Sequence, residues 1–132
     1  MKSIGIDIGA SHIACGLYND DIKKLENKIY VLNKMDTKLD INVSTKYFVD
    51  FIINLIDKLI KQYNININNI ESIGLGCPGG IDRQNGIFLG SSEMNLNRIN
   101  FRKALEKYNT KVFVENDCSC AGYSESYLSG LN

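Results

Sequence analysis

Two apolar, β-prone runs open the chain, Ile4 to Ile8 and Ile13 to Leu17, and only Gly9-Ala10-Ser11-His12 separates them. Runs broken by so short a turn predict a hairpin. Asn19-Asp20-Asp21 reads as a turn, and Lys28 to Leu32 as a third strand that continues an antiparallel meander. Asp36 to Val43 is polar and reads as loop, after which the period changes. Phe48, Phe51, Ile52, Leu55, Ile56, Leu59 and Ile60 recur at three and four, which predicts a helix to about Tyr63 with one wide core-facing stripe and Ser44 as its N-cap. Asn64 to Asn69 alternates Asn with Ile and reads as a connection. Ile70 to Cys77 is largely apolar, as a strand covered on both faces would be, and Pro78-Gly79-Gly80 ends it. Ile81 to Leu89 reads as a short excursion turning at Gln84-Asn85-Gly86, and Gly90 to Asn100 as irregular. Asn100 is placed to cap a short helix, Phe101 to Tyr108, before a fifth strand, Lys111 to Glu115, and a last helix, Cys118 to Leu128.

Composition narrows the partners. With 132 residues, 44% hydrophobic and 23% charged, one globular domain with a real core is expected. Lys+Arg 15 balance Asp+Glu 15, so the basic footprint of a nucleic-acid binder is missing. No run is long enough to span a membrane, and a strand follows Met1 almost at once, which points to the cytoplasm. Of Cys15, Cys77, Cys118 and Cys120, three fall within or beside apolar strand-like runs, so reduced thiols are expected, and Cys118-x-Cys120 lacks the two further ligands at zinc-site spacing that a metal site needs.

The chemistry gathers at strand ends. Asp7 stands just before the Gly9 to His12 turn, where small residues let backbone N–H groups form an anion-seeking concavity and a carboxylate can orient a hydrated cation. Phosphate with magnesium fits that pattern; an ordinary turn beside a solvated Asp fits it too. Gly79 follows the fourth strand at its carboxyl end, the edge where open α/β sheets hold ligands, although a plain turn reads equally well. Asn116 and Asp117 occupy a strand-to-helix corner expected on that edge. A carboxylate so placed can take a proton from a hydroxyl that a neighbouring amide positions, or can simply cap the last helix.

Taken together, Ile4-Gly-Ile-Asp-Ile-Gly-Ala-Ser11, Gly74-Leu-Gly-Cys-Pro-Gly-Gly-Ile-Asp82, Asn95-Leu96 and Val112-Phe-Val-Glu-Asn-Asp117 resemble the amino-terminal half of ROK-family sugar kinases and repressors. The resemblance spans essentially the whole chain. It implies an α/β, ribonuclease-H-like (actin-like ATPase) domain with a mixed five-stranded sheet, in agreement with the element order above. It also implies that Asp7, Gly9, Ala10 and Ser11 face the phosphates of ATP, with Asp7 reaching Mg²⁺ through water. Asp117 then matches the catalytic base for a hexose or amino-sugar hydroxyl, Asn116 a group bonding a neighbouring hydroxyl, and Gly79 and Asn95 the lining of the sugar pocket.

Departures from the family pattern shape the functional readings. Gly9-Ala10-Ser11-His12 stands where Gly-Gly-Thr-Lys is usual, and the aromatic residue that usually follows the Asn-Leu pair is replaced within Asn97 to Asn100. The family's nucleotide-binding carboxy-terminal half, with its zinc-binding cysteines, is expected beyond residues 1–132, so activity from this segment alone is not expected. The leading expectation is the amino-terminal domain of an ATP-dependent hexose kinase. The alternative is a non-catalytic sugar-sensing or interaction module, for which the altered turn speaks. A related actin-fold acyl-transferring or activating protein is a third. Only Met1 to Ser3 precede the first strand, which disfavours a repressor with a preceding DNA-binding segment. Apolar surface left for a second domain would favour self-association into a homo-oligomer.

Overall fold

The computed structural model describes residues 1–19, 21, 23–33, 36 and 38–116. The predicted hairpin forms from β1 (Lys2–Ile8) and β2 (His12–Asn19), and β3 (Lys24–Leu32) pairs antiparallel with β2. β3 begins earlier than the apolar pattern indicates. Its first half alternates exposed with half-buried positions, so pairing with β2 holds it there and hydrophobicity does not.

Helix α1 (Ile41–Gln62) crosses from β3 to β4 (Ile70–Cys77), which lies parallel to β1, and β8 (Lys111–Asn116) lies parallel to β4. The five-stranded sheet therefore runs β3-β2-β1-β4-β8, antiparallel at one side and parallel at the other. Between β4 and β8 the chain builds a feature that the sequence pattern does not show. β5 (Ile81–Asp82), β6 (Ile87–Phe88) and β7 (Ile99–Asn100) make a small three-stranded antiparallel sheet out of the stretch expected to be an excursion and an irregular loop. Strands of two residues are too short to show a period.

The N-cap of α1 is Asp40, whose side chain accepts from the N–H groups of Asn42 (2.9 Å) and Val43 (3.4 Å). Ser44, the expected cap, lies inside the helix instead and is buried. Asp40 is as good a capping residue as Ser44, and the exposed Ile41 and Val43 of the first turn lie off the apolar stripe, so that turn resembles loop in the sequence. The expected Phe101–Tyr108 helix is likewise shorter. α2 (Phe101–Ala104) keeps its predicted cap, Asn100, and a separate 3₁₀ turn covers Glu106–Tyr108. The predicted helix from Cys118 to Leu128 lies outside the described residues.

Register gives the two faces of the large sheet different characters. Ile4, Ile6 and Ile8 of β1, Ile13, Cys15 and Leu17 of β2, Ile73, Leu75 and Cys77 of β4, and Val112 and Val114 of β8 share one face. They form one core with Phe48, Ile52, Leu55, Ile56 and Leu59 of α1. The other face carries small residues, Ser3, Gly5, Ala14, Gly16, Ser72, Gly74 and Gly76, with Ser72 Oγ donating to Ser3 Oγ at 3.1 Å. Cys15 and Cys77 are buried thiols outside any disulfide, and burial pushes the Cys15 thiol up to about 12. No helix among the described residues is long and apolar enough to cross a membrane, and no group of three or more His, Cys, Asp or Glu among them is placed to hold a metal ion.

Tyr108 ties α1 to the segment before β8. Its hydroxyl donates to Asp57 Oδ1 at 2.7 Å and contacts the Ile53 carbonyl at 3.2 Å. Burial first, then the hydrogen bond and charge of Asp57, hold the phenol well above its ordinary range. With the folded value raised, this contribution is fully present below about pH 10, the usual tyrosine range, and is lost as pH climbs beyond it. Tyr108→Phe should therefore cost about 1 kcal/mol at neutral pH, the typical worth of one hydrogen bond. Urea denaturation of both proteins should show that difference shrinking on the alkaline side.

Candidate active site

One row of residues crosses all five strands of the large sheet: Tyr30, Ala14, Asp7, Gly76 and Glu115 are successive register partners on β3, β2, β1, β4 and β8. Partners in register put their side chains on the same face, here the small-residue face. Asp7 is thus flanked by Ala14 and Gly76, which leave open space beside its carboxylate. Just past this row β1 ends and the turn begins.

The turn is held closely. The Gly9 N–H donates to the His12 carbonyl at 2.9 Å, and a Cβ at Gly9 would lie 2.9 Å from that same oxygen, so close approach requires glycine there. From the end of β3, Asn33 holds both sides of the turn. Its side-chain amide donates to the Gly9 carbonyl at 2.9 Å and its backbone N–H to the Ser11 carbonyl at 2.8 Å. Ser11 Oγ and His12 Nδ1 lie 3.1 Å apart, and the His12 ring stacks on Tyr30 with centroids 4.9 Å apart and planes 15° from parallel.

These residues enclose a cavity of about 210 Å³, lined by Asp7, Gly9, Ser11, His12, Ala14 and Tyr30. Three of the predicted phosphate-facing residues, Asp7, Gly9 and Ser11, are therefore brought together, and Ala10 sits exposed in the same turn. The donor set suits the groups expected there. A carboxylate suits a hydrated hard cation, and a turn with an exposed hydroxyl suits phosphate oxygens.

The other predicted residues lie apart from this cavity. Gly79 is exposed just beyond the end of β4, and its φ of 125° is a conformation that favours glycine. Asn116 ends β8 and pairs in register with Cys77. Gly79 and Asn116 thus stand at the same edge of the sheet as the turn, because β1, β4 and β8 run in one direction. Asn95 has its side chain occupied in holding the approach to α1: its amide donates to the carbonyls of Asp36 (3.2 Å) and Leu39 (3.1 Å). Asp117 lies outside the described residues.

Sequence reasoning misses three participants. Tyr30 requires the β2–β3 register, which no local pattern supplies. Asn33 follows the last residue of β3 and carries no motif. Glu115, which reads only as a strand residue, is buried and accepts a bidentate pair from Arg83, Nε to Oε2 at 2.9 Å and Nη2 to Oε2 at 2.7 Å with Nε to Oε1 at 3.0 Å. That pairing fixes the β5–β6 turn against the last strand and neutralises the second carboxylate of the row.

A mixed sheet of this order, with α1 packed on one face, is that of an α/β, ribonuclease-H-like (actin-like ATPase) domain. The chain belongs to the ROK family, whose model matches residues 3–131. It is 28% identical over 124 residues to an N-acetyl-D-glucosamine kinase of Mannheimia succiniciproducens, covering 93% of this chain and 37% of the kinase. It is 32% identical over 124 residues to the xylose repressor of Bacillus subtilis, covering 93% of this chain and 30% of the repressor. The fold matches that of a ROK family glucokinase from Streptomyces griseus in complex with glucose and AMPPNP, with a TM-score of 0.72 and 21% identity over 95% of this chain and 36% of the other. The chain thus spans about a third of the length of these relatives.

Two substitutions test how the turn is held. Gly9→Ala should destabilise the protein by roughly 1–3 kcal/mol, within the range of substitutions that force a backbone shift. Asn33→Ala should cost about 1 kcal/mol and speed amide hydrogen exchange in the turn. Denaturation curves and exchange rates measure both; unchanged exchange in Asn33→Ala would show that the turn holds itself.

Proposed function

We propose that this chain is the amino-terminal, phosphate- and sugar-facing part of an ATP-dependent hexose or amino-sugar kinase of ROK type. The observation that carries the reading is the cavity where Asp7 meets the Gly9 and Ser11 turn, at the edge shared with Gly79 and Asn116. The kinase relative and the glucokinase fold match support it.

In this reading the sugar hydroxyl attacks the terminal phosphorus of ATP, an O–P bond forms, and the bond to the bridging oxygen of ADP breaks. Such a transfer needs positioning and charge stabilisation more than covalent help. Gly9, Ala10 and Ser11 form the turn that faces the phosphates. Asp7 would hold hydrated magnesium, which when bound would supply positive charge to offset that on the transferring group. Asp117, next after the last residue of β8, takes the hydroxyl proton, while Asn116 holds an adjacent hydroxyl. Gly79 and Asn95 line the sugar side, Asn95 also fixing the Asp36 and Leu39 carbonyls. The nucleotide's remaining contacts come from a further domain of the parent protein.

A second reading, a sugar-sensing module without catalysis, is favoured by two observations. His12 stacks on Tyr30 where the family pattern has a lysine, which removes a fixed positive charge from the turn, and the xylose repressor is as similar as the kinase. Coupled ATP turnover by the parent protein on a panel of hexoses and amino-sugars separates the two. Mg²⁺-dependent turnover that falls about 10²–10⁴-fold in Asp117→Asn, the usual worth of a general base, is the expected outcome. Sugar binding by calorimetry with no turnover on any sugar would establish the sensing module.

A further inference from the structure

The loop that carries Gly79 is tied at both ends to the same place. Cys77, the last residue of β4, is the register partner of Asn116, the last residue of β8. Pro78, Gly79 and Gly80 then leave the sheet, β5 follows, and Arg83, the residue after β5, returns to Glu115, which precedes Asn116 on β8. Its guanidinium donates from Nε to Oε1 at 3.0 Å and to Oε2 at 2.9 Å, and from Nη2 to Oε2 at 2.7 Å. Backbone register at one end and a bidentate ion pair at the other thus close the loop onto the end of β8.

Between those two ties the chain is pliant. Gly79 and Gly80 are exposed, have no side chain to pack, and are of the residue type with the widest backbone freedom. The Gly80 carbonyl accepts from the Leu89 N–H at 3.0 Å, and the Asp82 carboxylate accepts from the backbone and side chain of Asn85, so both face the β5–β6 hairpin and not β8. Arg83 carries that hairpin back to the large sheet. Glu115 is 6% exposed and its register partner on β4 is Gly76, which has no side chain to brace it, so the fork of Arg83 sets where the carboxylate sits. The Arg83 side chain itself is largely exposed, which screens the attraction; what the pair supplies is the fixed geometry of a planar fork on a carboxylate.

We propose that Arg83, on the sugar-facing reading of Gly79 and Asn116 given above, is a positioning residue for the sugar: through Glu115 it holds the Gly79 loop at a set spacing from Asn116. That spacing is the width of the cleft between them. Hydrogen bonds to sugar hydroxyls weaken steeply when misaligned, so a loop free to wander costs affinity without removing any group that touches the ligand. Two braces then serve the two sides of the site. Asn33 secures the phosphate turn, and Arg83 the sugar side.

Calorimetry of the parent protein and of its Arg83→Gln and Arg83→Lys variants, with D-glucose and N-acetyl-D-glucosamine as probes, reads affinity and stoichiometry together. Arg83→Gln should weaken binding of the probe that the parent protein takes by about tenfold at unchanged stoichiometry, the worth of one well-made hydrogen bond. Arg83→Lys keeps the charge but gives up the fork, and should weaken it by about threefold. Hydrogen exchange read by mass spectrometry should be faster in both variants for the peptide that carries Leu89, with β1 and β2 unchanged. Parental affinity in either variant, a fall in stoichiometry at unchanged affinity, which marks a structural role alone, or unchanged exchange at Leu89 would each overturn the proposal. Should Arg83→Gln fail to fold, Arg83→Lys carries the same test. Binding of neither probe by the parent protein would overturn the sugar-facing reading and this proposal with it, a failure told apart from that of the brace because exchange at Leu89 still reports the brace.

Discussion

Parallel pairing of β1 with β4, and of β4 with β8, is the constraint on which the rest of this molecule depends. It brings three carboxyl ends of strands to one edge, so that a hairpin turn, a Pro-Gly-Gly break and Asn116, far apart in sequence, share that edge. Such pairing needs a long crossover, and the meander of β2 and β3 followed by α1 supplies it. The apolar stripe of α1 covers the isoleucine-rich face of the sheet and leaves the small-residue face on the side where Asp7 stands.

Small residues around Asp7 matter as much as the carboxylate itself. A larger side chain at Ala14 or Gly76, its register partners, would crowd the space beside it. Glu115, farther along the row, is charge-paired with Arg83, so Asp7 is the carboxylate of that row that faces the cavity. The turn beyond is braced from outside by Asn33, whose position is set by the β2–β3 register. Site geometry here is a product of sheet register, with each of the three antiparallel strands contributing a residue to one cavity.

Much of this is legible in the sequence, and the limits have physical causes. The hairpin, the long helix and the fourth and fifth strands announce themselves through local period and turn chemistry, and the Asp7 to Ser11 site follows from a motif confined to one turn. Tyr30 and Asn33 do not, because their roles arise from pairing across strands, which local sequence leaves open. The small sheet of β5, β6 and β7 escapes for a different reason, since two-residue strands have no period to detect. Ser44 has the chemistry of an N-cap, but Asp40 caps one turn earlier and carries the helix past it. That displacement is what buries the Ser44 hydroxyl.

Whether the turn after Asp7 is a phosphate-facing surface decides the functional reading, and an amide chemical-shift titration of this chain with magnesium pyrophosphate tests it most directly. Saturable shifts concentrated at Asp7, Gly9, Ala10 and Ser11, with the Tyr30 ring responding, are the predicted result. Saturable shifts confined to another surface, or none at high pyrophosphate, would contradict it.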